Sequence, residues 1–483
     1  MAELTVASTE QKKGKIPKSV PYIIGNEIAE RFSFYGLRSI MVVYLAVHFF
    51  NPANDPSLKA VADAKANEMS HLFVTLAYFA PLIGGIMADW FFGKYRVILW
   101  VSIFYTIGHL ILSVSTNNYN YFAFGLILIA CCAGGIKSCV SANVGDQFDT
   151  SNQHLLSKVY GWFYMAINTG GTLAPLLIPL LGEWYGDEVA FGVPGILMLI
   201  ATIIFVLGRK KYVKVPPSGV KKQNFVTISL YALAKVFSRK PGQKVWEAVG
   251  EKYSQESIDG IKAIYRILLV FAFTPVYWAL WDQNLSEWML QARSLDLTVV
   301  GGLTILPQQI NFVNPLFLVL LIPVFNSLVY PAIEKMGIKV TPLRKIGAGL
   351  VMIGLCFLII ASLQTSIDNG GHPSVWWQFL AYVILAASEI LVSLTCLEYA
   401  YTQAPPSMKS TSSALYLLGI SLGNYFVSLV NGNIVDGGFF AQYTGAAYYW
   451  LFIKILVAFI VVYLFVSKYL PEKNYIVATE EKK

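Results

Sequence analysis

Charge is scarce in this chain of 483 residues: Asp, Glu, Lys and Arg make up 13% of it, about half the share that soluble domains carry. With 56% hydrophobic residues alongside, that scarcity excludes an ordinary soluble protein. The length alone suits three domains of ~150 residues, yet nearly every stretch between polar breaks is an apolar run long enough to span a bilayer. Cysteine is rare too. Cys131, Cys132, Cys139, Cys356 and Cys396 all lie inside apolar segments without metal-ligand spacing, which argues against a disulfide framework or a zinc site. There is no G-x-x-x-x-G-K-[ST] loop, no H-E-x-x-H, and only five histidines, so ATP-driven transport and zinc proteolysis lack their chemistry and no enzyme is expected. Neither a ring of like charge nor a carbonyl filter can be read, as a channel requires. The net charge of +8 sits in short loops rather than on a continuous patch, which excludes nucleic acid as a partner.

What is present is a series of apolar runs. They predict an all-α membrane protein with twelve spans at about 20–49, 68–92, 95–115, 120–143, 158–182, 190–208, 264–285, 303–333, 343–363, 375–402, 410–433 and 446–470. The first span contains Glu27, Glu30 and Arg31, so it is no signal-peptide core and is expected to stay in the mature protein. Lys and Arg crowd the tail (Lys12, Lys13, Lys15, Lys18), the 93–96 turn, the 209–266 stretch, the 334–345 loop and the C-terminus. The opposite loops hold little beyond Lys59, Lys65 and Arg293, so both termini are expected on the cytoplasmic side of a plasma or inner membrane. A basic linker, 209–263, with an amphipathic stretch from Val226 to Phe237, splits the spans six and six. That split suggests an N-terminal half, 1–208, and a C-terminal half, 264–483, related by an axis along the membrane normal, as in the major-facilitator fold.

Charged side chains at bilayer depth are expensive and mark function. Glu27, Arg31 and Arg38, at i, i+4 and i+11, lie within about 40° of one another on the first span, flanked by Glu30 and Tyr35. Glu27 can neutralise Arg31, but Arg38 has no local partner. Lys137 in the fourth span, Asp282 in the seventh and Glu389 in the tenth add to the set, with His71 near enough to the predicted start of the second to snorkel. The deep groups number four acids against three bases, which leaves a carboxyl that is readily protonated, as proton coupling needs.

Three motifs then sharpen the reading. Glu27-Ile-Ala-Glu30-Arg31-Phe32-Ser33-Phe34-Tyr35-Gly36 resembles the E-x-x-E-R-F-x-Y-Y-G signature of the proton-dependent oligopeptide transporter family, with Phe34 in place of the first Tyr. Gly84 to Lys94 looks like that family's loop after the second span, a gating or helix-packing element, and Phe163-Tyr164-Met165-Ala166-Ile167-Asn168-Thr169-Gly170 looks like its F-Y-x-x-I-N-x-G stretch. Pro275 to Gln283 and Leu397 to Ser410 are similar to animal members, so the resemblance covers nearly the whole chain.

The resemblance implies a symporter that imports di- and tripeptides with protons by alternating access, with no cofactor besides the coupling ion. By position, Arg38 and Lys137 match the basic pair near the peptide carboxylate, and Glu389 the acid that receives the amino group. Tyr35, Tyr78, Tyr164, Asn168, Trp278, Asn314 and Ser393 match other cavity positions, although Tyr164 and Trp278 also suit helix packing. Tyr416 replaces the family's Trp in the eleventh span and Asn311 a Gln in the eighth, so the cavity wall is expected to differ in side-chain preference. Glu27, Glu30, Arg31, His71 and Asp282 are the candidate proton-coupling groups. His71 shares a helical face with Tyr78 and, with an ordinary imidazole pKa near ~6.5, is expected to take a proton from outside and pass its effect to Asp282. The alternatives are a histidine that only hydrogen-bonds near the interface and, for the whole chain, a carrier of nitrate or another anion. An anion has no amino group for Glu389 to pair with.

Overall fold

The computed structural model describes residues 15–149, 151–219, 224–240, 242–405 and 408–470, so Lys12, Lys13 and the basic residues beyond 470 lie outside it. Among the described residues there is no β-strand. Eleven helices among the described residues are long and apolar enough to cross a membrane: Val20–Phe50, Pro56–Phe92, Lys94–Val114, Tyr119–Gly145, Gln153–Tyr185, Asp187–Lys210, Pro307–Lys335, Pro342–Asp368, Trp376–Ala400, Thr411–Val435 and Ala446–Ser467. A bent pair, Gln255–Phe271 with Thr274–Ala292, supplies the twelfth span, seventh in chain order.

Two spans differ from their predicted limits. The second begins at Pro56 rather than 68, and the seventh runs from Gln255 to Ala292 rather than 264 to 285. An apolar count stops at Lys59, Asp63, Lys65 and Glu68, but backbone hydrogen bonds carry a helix through charged residues once it leaves the hydrocarbon. The seventh starts where Ser254 Oγ accepts the Ser257 N–H, a polar cap invisible to hydropathy. It bends by 41° just before Pro275, whose ring has no N–H to continue the ladder. The linker's amphipathic stretch is a helix, Phe225–Ser238, capped reciprocally by Asn224 and Thr227.

Burial separates the halves. One large apolar core is built from residues of 20–212 together with Leu285, Met289 and Leu290, and the other from residues of 228–463 together with Ala64. The exceptions mark where the second and seventh spans cross from one half to the other. Lipid is as apolar as leucine, so helices in a bilayer associate through close backbone packing rather than the hydrophobic effect. Here a Cβ on Gly134 would stand 2.4 Å from Ala80 Cβ, tying the fourth span to the second, and one on Gly423 would stand 2.3 Å from the Pro275 carbonyl oxygen, tying the eleventh to the seventh. The turn after the second span closes on Gly93, whose φ of +78° suits only glycine without strain. Beside it, Lys94 Nζ bonds Asp146 at 2.7 Å and the Asp89 carbonyl accepts from Ser218 N, so this loop packs helices together.

Candidate functional site

The first span buries four charged residues, and one of them, Arg38, reaches across the seam between the halves. Arg31 Nε lies 3.2 Å from Glu27 Oε1, and its terminal nitrogen also contacts Glu30, so both acids meet on one guanidinium. Two turns on, Arg38 Nη2 donates to Asp282 Oδ1 of the seventh span at 2.9 Å. The partner that the first span could not supply locally comes from the other half. Lys137, placed beside Arg38 by position, has its ammonium 3.8 Å from the centre of the Tyr78 ring and 4.3 Å from that of Phe34, with no hydrogen-bonding group on its buried nitrogen. Two aromatic faces hold the cation by its attraction to their electrons.

Asp282 is also the end of a longer polar chain. Its Oδ2 accepts from Asn424 Nδ2 at 2.7 Å, and Asn424 Oδ1 lies 2.8 Å from His71 Nδ1. The other ring nitrogen, Nε2, is 2.8 Å from Ser286 Oγ. His71 is thus linked to Asp282 by hydrogen bonds through an asparagine of the eleventh span. Its expected place near a helix end is corrected: the second span starts 15 residues earlier, at Pro56, and His71 is 1% exposed. Snorkelling does not describe it.

The same face of the second span carries polar residues at every fourth position. Lys59 reaches Ser294, Asp63 pairs with Arg293, Asn67 bonds Glu287, and His71 meets Ser286, so each rung joins the second span to the seventh or to the turn just after it. Below them, Ser421 Oγ donates to the Thr75 carbonyl. Sequence reasoning missed Asp63, Asn67, Glu287, Arg293, Asn424 and Ser286 as a set. The four-residue period running back from His71 was the available signal, hidden because the predicted span began after it.

The second group of candidates gathers around Glu389. Its Oε2 accepts from Asn314 Nδ2 at 3.0 Å, and with Tyr35, Asn168, Trp281 and Asn311 the pair lines a cavity of ≈ 40 Å³, room for about one water. Asn168 Nδ2 donates to the Tyr164 carbonyl at 2.8 Å, and Asn311 donates to Asn284. Trp278 stands edge-on to Trp281, with ring centres 5.1 Å apart, and to Tyr416 at 6.2 Å. Tyr416 Oη in turn donates to Ser393 Oγ at 3.0 Å. Trp278 is thus packed between aromatic rings, and it is Trp281 that reaches the cavity. Among the described residues no group of His, Cys, Asp and Glu could hold a metal.

Twelve spans in two six-helix halves, joined by charged groups buried in the seam, define a polytopic membrane protein of the major-facilitator fold. The model of the POT family matches residues 95–451, and the chain belongs to that family of transporters. It is similar to peptide transporter 3 of Caenorhabditis elegans, 38% identical over 74% of this chain and 52% of that one. It is also similar to solute carrier family 15 member 2 of Oryctolagus cuniculus, 32% identical over 79% and 53%. The chain thus spans about half the length of these curated relatives. The crystal structure of the POT family transporter PepTSo superposes with a TM-score of 0.87 at 35% identity, covering 95% of this chain and 99% of that one.

Proposed function

We propose that this protein is a proton-coupled symporter that imports di- and tripeptides by alternating access. Residues 1–208 and 264–483 are its rocking halves, 209–263 their linker, and both termini face the cytoplasm. The observation that carries the reading is the buried Arg38–Asp282 pair, a cation of one half held by an acid of the other. A proton on Asp282 removes the charge that holds Arg38. The guanidinium is then available to the peptide carboxylate, which it can grip with two parallel hydrogen bonds, while Lys137 adds a second positive charge. Glu389 receives the peptide ammonium, exchanging its bond from Asn314 for a charge-assisted one. Tyr35, Tyr78, Tyr164, Asn168, Trp278, Asn314, Ser393 and Tyr416 form the wall, and recognition of the peptide backbone leaves side chains loosely specified.

His71 and Asn424 form the route by which an outside proton influences Asp282, and Glu27, Glu30 and Arg31 form a second switch on the first span. The relatives named as peptide transporters support a peptide as substrate, and an acid at Glu389 disfavours nitrate. Uptake of labelled dialanine into proteoliposomes, with and without an inward proton gradient, tests the proposal. Accumulation above the external concentration only with the gradient is expected. Equal uptake of nitrate and none of dialanine overturns it.

A further inference from the structure

On the face that carries the termini, the start of the ninth span and the end of the twelfth enclose a groove of ≈ 680 Å³. Its rim holds Lys339, Arg344 and Lys468, with Ser467 and Thr341 beside them. None of the three cations meets an acid within ion-pair distance among the described residues, although the neighbouring Lys345 bonds Glu398 at 3.1 Å. Arg344 Nη1 donates to the Lys339 carbonyl at 3.0 Å, which fixes the guanidinium at the rim. The Thr341 hydroxyl does not cap the helix it precedes.

Deeper in, the groove turns apolar. Val351 and Leu464 are 48% and 53% exposed on membrane-spanning helices, so both face acyl chains. Gly347 provides the depth, since a Cβ there would lie 3.2 Å from the ring of Tyr463. Val351 is nine residues into the helix that starts at Pro342, about 13 Å below the rim at 1.5 Å per residue. A basic rim at headgroup level over an apolar slot at acyl-chain level matches one kind of molecule in both parts.

The geometry points to a binding site for an anionic glycerophospholipid, its phosphate among Lys339, Arg344 and Lys468 and one acyl chain along Val351 and Leu464. The site lies in the C-terminal half alone, away from Arg38 and Glu389, and does not depend on the substrate proposed above. Each basic residue near a membrane surface strengthens attraction to an anionic lipid about fivefold, so two together contribute about thirtyfold.

The test is native mass spectrometry of the full chain in detergent, titrated with phosphatidylglycerol or phosphatidylcholine. One phosphatidylglycerol is expected to bind at least about tenfold more tightly than phosphatidylcholine, with the preference lost in the Arg344→Gln, Lys468→Gln double variant. Ala348→Trp, which keeps every charge but fills the slot, should lose the lipid while eluting as a normally folded protein. Equal binding of the two lipids, or an undiminished preference in the double variant, overturns the proposal. Glycerol phosphate competing as well as the lipid shows that the headgroup alone is recognised and overturns the lipid as occupant.

Discussion

Arg38 of the first span donates to Asp282 of the seventh at 2.9 Å, and neither side chain is more than 2% exposed. A buried pair of this kind is weak evidence for stability as such, yet breaking it by removing one partner costs about 3–5 kcal/mol because a charge is left unpaired. In the function proposed above the pair serves as a switch, since a single proton cancels the attraction and leaves the geometry in place. Asp282→Asn is therefore expected to abolish gradient-driven accumulation while peptide exchange continues. Asp282→Ala is expected to lower the unfolding temperature as well, and a thermal melt separates the two effects. Arg38→Lys is expected to be a poor rescue of carboxylate recognition, read by comparing free dipeptides with dipeptide amides.

Glu389→Gln keeps the contact with Asn314 and loses the charge. Binding of free dipeptides is expected to weaken by roughly 2–5 kcal/mol, the penalty for an ammonium left without its partner, with N-blocked dipeptides affected less. Equilibrium binding of the two ligand classes checks this. Equal losses in both contradict the assignment.

His71→Gln can still offer hydrogen-bonding groups to Asn424 and Ser286 but cannot carry a proton at any pH the protein meets. Exchange is expected to remain measurable, while the dependence of uphill uptake on external pH flattens. Unchanged proton-driven uptake at normal expression would leave His71 a purely structural member of the chain.

The polar rungs from Lys59 to His71 bridge the seam on one face of the molecule. Asp63 and Arg293, each 19% exposed, form the outermost ion pair, and such partly solvated pairs are worth about 0–1 kcal/mol. Asp63→Asn is accordingly expected to raise labelling of an Ala64→Cys reporter, buried at 6% exposure beside these rungs, by an impermeant maleimide up to about fivefold, and Glu287→Ala, which also strips the Asn67 bond, by more. Labelling that does not change places the closing force elsewhere.

Packing is testable separately from chemistry. Gly423→Ala forces a Cβ to 2.3 Å from the Pro275 carbonyl, where backbone rather than a side chain must yield. Overpacking of this kind costs typically 1–3 kcal/mol, so a lower melting temperature is expected.

The sequence carried the fold and the inventory of charged groups further than it carried their partnerships. Hydropathy marked twelve spans because the bilayer demands an apolar surface from each, and Glu27, Arg38, Lys137, Asp282 and Glu389 stood out against that background. Hydropathy could not follow helices beyond the hydrocarbon, so Asp63 and Asn67 were read as loop and the rungs they form with Arg293 and Glu287 went unseen. Asn424 was invisible for another reason: an uncharged amide in an apolar run signals nothing until the fold sets it between His71 and Asp282. Arg38 was correctly seen to lack a partner on its own helix, and only the meeting of the two halves supplied one.

The central claim is that peptide and proton cross together, and a pH-sensitive dye trapped inside proteoliposomes tests it most directly. With the membrane potential clamped and an inward proton gradient held below the leak threshold, adding dialanine outside should acidify the lumen. Asp282→Asn should abolish that acidification while still exchanging labelled peptide. Dialanine that accumulates in the unmodified protein without any acidification of the lumen contradicts the account.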